Sequence, residues 1–281
     1  MSKDFFHSDF AKHSKFRWDF ILNIRDLDRW QLLSNNYQRY FQKIPEKISF
    51  KEKIPKKIHQ VWIGPKKIPE KYLHWGKTWI KKNPQWEYKL WTDKDIKNLS
   101  MHNKSLFYST NNVGFKSDLA RYEILYKYGG IYIDTDFECL EEIPDNLRNF
   151  DFVSSTGFDF TPVILNGFIM ASPKNYIIKK IIYDIESPYN SKEPMDVINS
   201  SGPNRLTSLY FRHYCKNSII LPSNYCYPYP SFLINSKEAK KDEITSLSFA
   251  IHHWEMSWMK GKLISRVFLK IKYLLNNFFK Q

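Results

Sequence analysis

The chain has 281 residues with 42% hydrophobic and 17% aromatic content, enough for a sizeable core in one large domain or two small ones. No stretch reaches the roughly 18 to 20 uncharged apolar residues of a spanning helix, and "MSKDFFHSDFAKHSKF" has neither an apolar h-region nor a small-residue cleavage site. Cys139, Cys215 and Cys226 show neither CxxC pairing nor zinc spacing, so the expectation is reduced thiols and a cytoplasmic setting. The net charge of +14 attracts phosphate-bearing molecules and anionic membrane surfaces alike. No zinc finger, RNP-like strand or clear helix-turn-helix pattern ties it to nucleic acid, and a bias toward Lys, Asn and Ile would explain it equally well.

Residues 1–50 read as a helical, amphipathic extension that packs on the core, with Phe20, Ile24, Leu27, Trp30 and Leu33 near helical spacing. A short apolar strand, Ile58 to Ile63, follows and stops at Gly64-Pro65. "YLHWGKTWIKKNP" predicts a helix ending before Pro84, and "WEYKLWTD" alternates as a second strand, giving a βαβ unit. Next, Ser117 or a neighbour caps a helix with the apolar stripe Leu119, Tyr122, Leu125 and Tyr126, and Gly129-Gly130 end it through positive φ. Beyond residue 150 come short strands and turns, with Asn166-Gly167 read as a hairpin signal. A helix over Tyr176 to Ile185, a Gly-Pro turn leading into a further helix, and a proline-broken extended stretch complete the pattern.

"GGIYIDTDFECL", residues 129 to 140, ends an apolar strand in two aspartates. Strand alternation would put Tyr132, Asp134 and Asp136 on one side, with the carboxylates adjacent. Adjacent carboxylates repel unless a cation sits between them, and a hard divalent ion with oxygen ligands is the usual remedy. Mg²⁺ or Mn²⁺ would then clamp a nucleotide diphosphate and neutralise it as a leaving group. A lone D-x-D triplet is a weak signal and reads first as two solvated loop carboxylates. Here it follows a Gly-Gly helix stop and a helix carrying Asp118 and Arg121 on one face, at the carboxyl end of a strand, where open α/β sheets bind ligands. The pair Asp118 and Arg121 also reads as an exposed helix salt bridge.

The ordered set "IPKKIHQVWIG", "NPQWEYKLWTD", "KSDLARYEILYKYGGIYIDTDFECL", "LNGFIMASP", "SGP" and "HHWEMSW" resembles the DXD-containing sugar transferases of glycosyltransferase family 32, over roughly residues 54–260. The resemblance implies a GT-A-like α/β fold: a mixed, mostly parallel central sheet flanked by helices, with a catalytic domain over 51–259 between an N-terminal extension, 1–50, and a C-terminal one, 260–281. It implies a retaining transfer from a nucleotide-diphosphate sugar, UDP favoured and GDP the alternative, to a glycan or lipid-linked glycan acceptor in bacterial capsule or surface-polysaccharide synthesis, with Mn²⁺ or Mg²⁺ as cofactor. By the same resemblance, Val61 and Trp62 contact the base, Asp118 and Arg121 grip the donor sugar, and Tyr132 and Asp134 lie near sugar and ribose. Asp136 is the direct metal ligand, Asn166 and Gly167 sit where donor and acceptor meet, and Ser257 and Trp258 lie near phosphate. A histidine completes the metal site, either His252 or His253, with His253 preferred; nitrogen suits Mn²⁺ better than Mg²⁺. The catalytic set is therefore Asp118, Arg121, Asp134 and Asn166, and the leaving diphosphate helps deprotonate the acceptor.

Leu263, Ile264, Val267, Phe268, Ile271, Leu274, Leu275, Phe278 and Phe279 form a helical stripe beside Lys262, Arg266 and Lys270. Such a helix fits the surface of an anionic membrane, and equally docking on the core. Two other classes compete with the transferase: an effector that glycosylates a protein, and a basic nucleic-acid-binding protein or nuclease using the aspartates as metal ligands.

Overall fold

The computed structural model describes residues 9–10, 24–41, 52–157, 162–187, 193–231 and 243–255. Ser257, Trp258 and the stripe of 260–281 lie outside the described residues, as do 1–8 and 11–23 of the N-terminal extension. Among the described residues no helix is long and apolar enough to cross a membrane.

The chain runs α1 (Ile24–Phe41), β1 (Lys57–Val61), α2 (Glu70–Lys82), β2 (Glu87–Trp91), α3 (Asp93–Lys97), α4 (Lys104–Ser109), α5 (Val113–Tyr128), β3 (Gly130–Ile133) and β4 (Phe137–Cys139). It continues through β5 (Phe152–Thr156), β6 (Ile164–Ala171), α6 (Tyr176–Asp184), α7 (Pro194–Ser200), α8 (Pro203–Arg212), β7 (Ser218–Leu221) and β8 (Ala250–His252). Among the described residues, six strands form one sheet in the order β2-β1-β3-β6-β5-β7; β4 and β8 pair separately. Every strand of the large sheet runs one way except β6, which is antiparallel to both β3 and β5. The β1-α2-β2 unit is therefore a parallel crossover, as the sequence pattern implies.

Strands β3 and β5 are buried at every position, as central strands covered on both faces must be, and the edge strand β7 is buried too because helix α1 packs on it. Helix α1 is held on β7: Asn36 Nδ2 donates to the Ser218 carbonyl, the hydroxyls of Tyr37 and Tyr225 lie 2.8 Å apart, and Trp30 and Leu33 are buried. Helix α5 begins earlier than the Ser117 cap would place it. Asn112 caps it by accepting from the Phe115 N–H, which puts Ser117 inside the helix. Nearly all of α5 from Asp118 to Leu125 is buried, so its polar residues face the interior rather than solvent.

The stop after α5 is the one read from the sequence. Gly129 and Gly130 have φ of 62° and 98°, and a Cβ on Gly130 would meet the Lys57 carbonyl at 2.4 Å. His59 secures this corner: Trp91 Nε1 donates to its Nδ1, and its Nε2 donates to the Gly129 carbonyl at 2.9 Å. Burial pushes the His59 pKa down to about 4, so the ring stays neutral.

Asn166-Gly167 is not a hairpin turn. It lies within β6, at a register shift where Ser154 faces Ile169 but Ser155 faces Leu165. The intervening residues form a bulge, and bulges re-aim side chains. The eight-residue apolar run ILNGFIMA continues through Asn-Gly as one buried strand, which outweighs the local turn preference.

Candidate active site

The site lies at the carboxyl ends of β1 and β3, where the start of antiparallel β6 and the β4–β8 ribbon converge. Strand β3 ends at Ile133, so the aspartates are not successive strand residues: Thr135 and Asp136 form the turn into β4. Their carboxylates converge because the turn folds back. The Asp134 N–H donates to the Gly167 carbonyl at 2.8 Å, and Gln60 Nε2 donates to the Asp134 carbonyl at 3.1 Å. A Cβ on Gly167 would lie 2.7 Å from Asp134 Oδ2, so only glycine allows this approach.

One ligand atom each from Asp134, Asp136 and His252 lies within 4.8 Å of the other two. His252 Nε2 is 3.1 Å from Asp136 Oδ1, and Asp136 Oδ2 accepts the Glu255 N–H at 2.9 Å. Burial works to raise the Asp136 pKa, but His252 and that N–H outweigh it and hold the carboxyl below its ordinary range. Two carboxylates and one imidazole form a donor set that suits Mn²⁺ or Mg²⁺, so these residues fit the divalent ion implied by the sequence.

His253, preferred on sequence grounds, sits elsewhere. Its Nε2 lies 2.9 Å from Glu138 Oε2, its ring stacks on Trp75 at 4.2 Å, and Tyr229 Oη is 3.3 Å from its Nδ1. The β4–β8 register explains this: Phe137 opposes His252 and Glu138 opposes Ile251, so His252 faces inward and its neighbour turns to the Glu138 side.

Behind the aspartates, α5 contributes a buried charge network rather than an exposed salt bridge. Arg121 Nη2 is 3.0 Å from Asp118 Oδ1 and 3.2 Å from Asp134 Oδ1, Nη1 donates to the Asn166 carbonyl at 2.6 Å, and the guanidinium lies over the Tyr132 ring at 4.5 Å. Tyr132 Oη donates to Asp134 Oδ1, while Asn166 Nδ2 and Ser201 Oγ donate to the two oxygens of Asp118. Burial works to lower the Arg121 pKa, but the charges of Asp134 and Asp118 overcome it and raise it, so the cation is permanent. Burial raises the Asp118 pKa against the opposing pull of Arg121 and Ser201.

Val61 and Trp62 stand at the end of β1; Val61 is buried, and the half-buried Trp62 donates its indole N–H to the Lys66 carbonyl and tilts against Tyr72 at 5.3 Å. Structure thus brings together Asp118, Arg121, Tyr132, Asp134, Asp136, Asn166 and Gly167. Sequence reasoning missed Gln60, Ser201 and Tyr227. A buried glutamine in an apolar strand is a readable signal, and Ser201 stands in the quoted SGP motif without its reach to Asp118 being legible there, whereas a tyrosine in a proline-broken stretch carries none.

This sheet order and carboxylate-lined rim are those of a GT-A-type fold. The fold is similar over 93% of the chain, and 92% of the other, to the catalytic domain of alpha-toxin from Clostridium novyi, with a TM-score of 0.51 at 12% identity. Residues 69–153 match the glycosyltransferase sugar-binding region containing DXD motif. The chain is 32% identical over 164 residues to inositol phosphoceramide mannosyltransferase 1 of Schizosaccharomyces pombe, covering 54% of this chain and 50% of that one. It is 27% identical over 242 residues to an uncharacterized glycosyltransferase of Acanthamoeba polyphaga mimivirus, covering 79% and 90%. The chain spans half or less of the length of the fission-yeast relatives it matches.

Proposed function

We propose that this protein is a metal-dependent hexosyltransferase that moves a sugar, with retention of configuration, from a nucleotide-diphosphate donor to a glycan or lipid-linked glycan acceptor of a bacterial capsule or surface polysaccharide. The observation that carries this is the meeting of Asp134, Asp136 and His252 beside the buried Asp118–Arg121–Asn166 network. Asp134, Asp136 and His252 would hold Mn²⁺ or Mg²⁺, which when bound supplies Lewis-acid stabilisation of the departing diphosphate. Val61 and Trp62 take the base, the indole offering a stacking face. Arg121, fixed on three sides, presents an immobile positive charge to the donor, where charge develops as the glycosidic bond breaks. Asp118 and Asn166, already locked by Ser201 and Tyr122, orient sugar hydroxyls without further side-chain ordering.

A glycolipid acceptor gains support from relatives named for sphingolipids, the inositol phosphoceramide mannosyltransferases and the lactosylceramide 4-alpha-galactosyltransferase of Mus musculus. On this reading residues 51–259 are the catalytic unit. The test is a panel of UDP- and GDP-sugars with Mn²⁺, read by slow donor hydrolysis and by thermal stabilisation, which reports ligand binding to the native form. One nucleotide sugar should raise the melting temperature and be hydrolysed, and Asp136→Asn should lower turnover roughly 1,000-fold, the loss expected from several kcal/mol of metal-derived stabilisation. Full turnover by Asp136→Asn, or no response to any donor, refutes it.

A further inference from the structure

Tyr227 is 1% exposed, and its hydroxyl is one of the buried side-chain atoms with no hydrogen-bond partner among the described residues. Another is His252 Nδ1, and the two rings meet edge to face at 5.4 Å. A buried phenol without a partner is destabilising, so such an atom calls for an explanation. Its location offers one. A single point, where a Cβ would stand on Gly167, lies 3.1 Å from the Tyr227 hydroxyl and 2.7 Å from Asp134 Oδ2. Tyr132 and Arg121 both engage the other oxygen of Asp134, Oδ1. Phe137, His252 and Trp254 wedge the Tyr227 ring in place, so the hydroxyl has little freedom to turn away.

We propose that Tyr227 is a positioning residue for the cation site, its waiting hydroxyl supplying the hydrogen bond that steadies Asp134 Oδ2 once a divalent ion is bound. The inference rests on the metal reading above. Hydrogen bonds to ligating carboxylates orient them, and their loss weakens metal affinity by about 10- to 100-fold.

The experiment is Tyr227→Phe, with Mn²⁺ alone titrated into wild type and variant by calorimetry, alongside thermal unfolding of both without metal. Tyr227→Phe should fold, unfold without metal at an unchanged or higher temperature because an orphan hydroxyl has been removed, and bind Mn²⁺ about 10-fold more weakly. An unchanged Mn²⁺ affinity overturns the proposal and leaves the metal reading standing; a lowered metal-free melting temperature with intact affinity makes Tyr227 a packing residue and has the same consequence. Wild type that binds no Mn²⁺ overturns the metal reading itself.

Discussion

Replacing Arg121 by Met keeps most of the apolar stem and removes the charge that joins α5 to the aspartate turn. The side chain is 6% exposed and stands 3.0 Å from Asp118, itself 9% exposed, and 3.2 Å from Asp134. Removing one member of a buried ion pair strands the other, at about 3–5 kcal/mol, and here two carboxylates lose their partner. At about 2–4 °C per kcal/mol for a chain of this size, the melting temperature should fall roughly 6–20 °C. Urea unfolding should show the same loss as a lower midpoint with an unchanged slope. The loss should be smaller at pH 5 than at pH 8. Burial already raises the Asp118 pKa, and without Arg121 it rises further; a carboxyl with a raised folded pKa destabilises increasingly as pH climbs past its unfolded value. Arg121→Lys should recover only part of the stability, because an ammonium cannot span Asp118, Asp134 and the Asn166 carbonyl together. A loss below about 1 kcal/mol for Arg121→Met, the value of an exposed pair, would refute the reasoning.

His59, with its pKa lowered from 6.5 to about 4, stabilises the fold fully above pH 6.5 and loses that contribution as pH falls toward 4, roughly 3 kcal/mol in all. His59→Gln should flatten the stability profile across that window, as measured by urea unfolding at stepped pH. Gly167→Ala should weaken Mn²⁺ binding by about 10-fold or more, because the added methyl reaches Asp134 Oδ2; calorimetry checks this, and an unchanged affinity would show that the close approach is dispensable.

The βαβ unit, the Gly129-Gly130 stop and the carboxylate pair were legible because each rests on local chemistry: period, positive φ and charge repulsion. The outcomes for Asn166 and His253 depended on what lies across space, whereas Ser117 lost the cap to a residue nearby in sequence. Asn112 captures the start of α5 five residues before Ser117, and Asn166-Gly167 stay within β6 at the point where its pairing with β5 shifts register. Which histidine faces the aspartates follows from the β4–β8 register, which has no trace in the run "HHW". Asp118 and Arg121 were found by spacing, yet their burial, which separates a site from a surface salt bridge, emerged only once α5 was enclosed. Ser201 illustrates the remaining gap: it donates to Asp118 from 83 residues away in the chain.

The most direct test of the metal centre is anomalous diffraction from crystals grown with Mn²⁺ and UDP. A manganese peak in contact with Asp136 and His252, on the side where Asp134 converges, with the diphosphate against it, is the expected result. A peak held instead by His253 and Glu138, or none at the DXD turn, would contradict it.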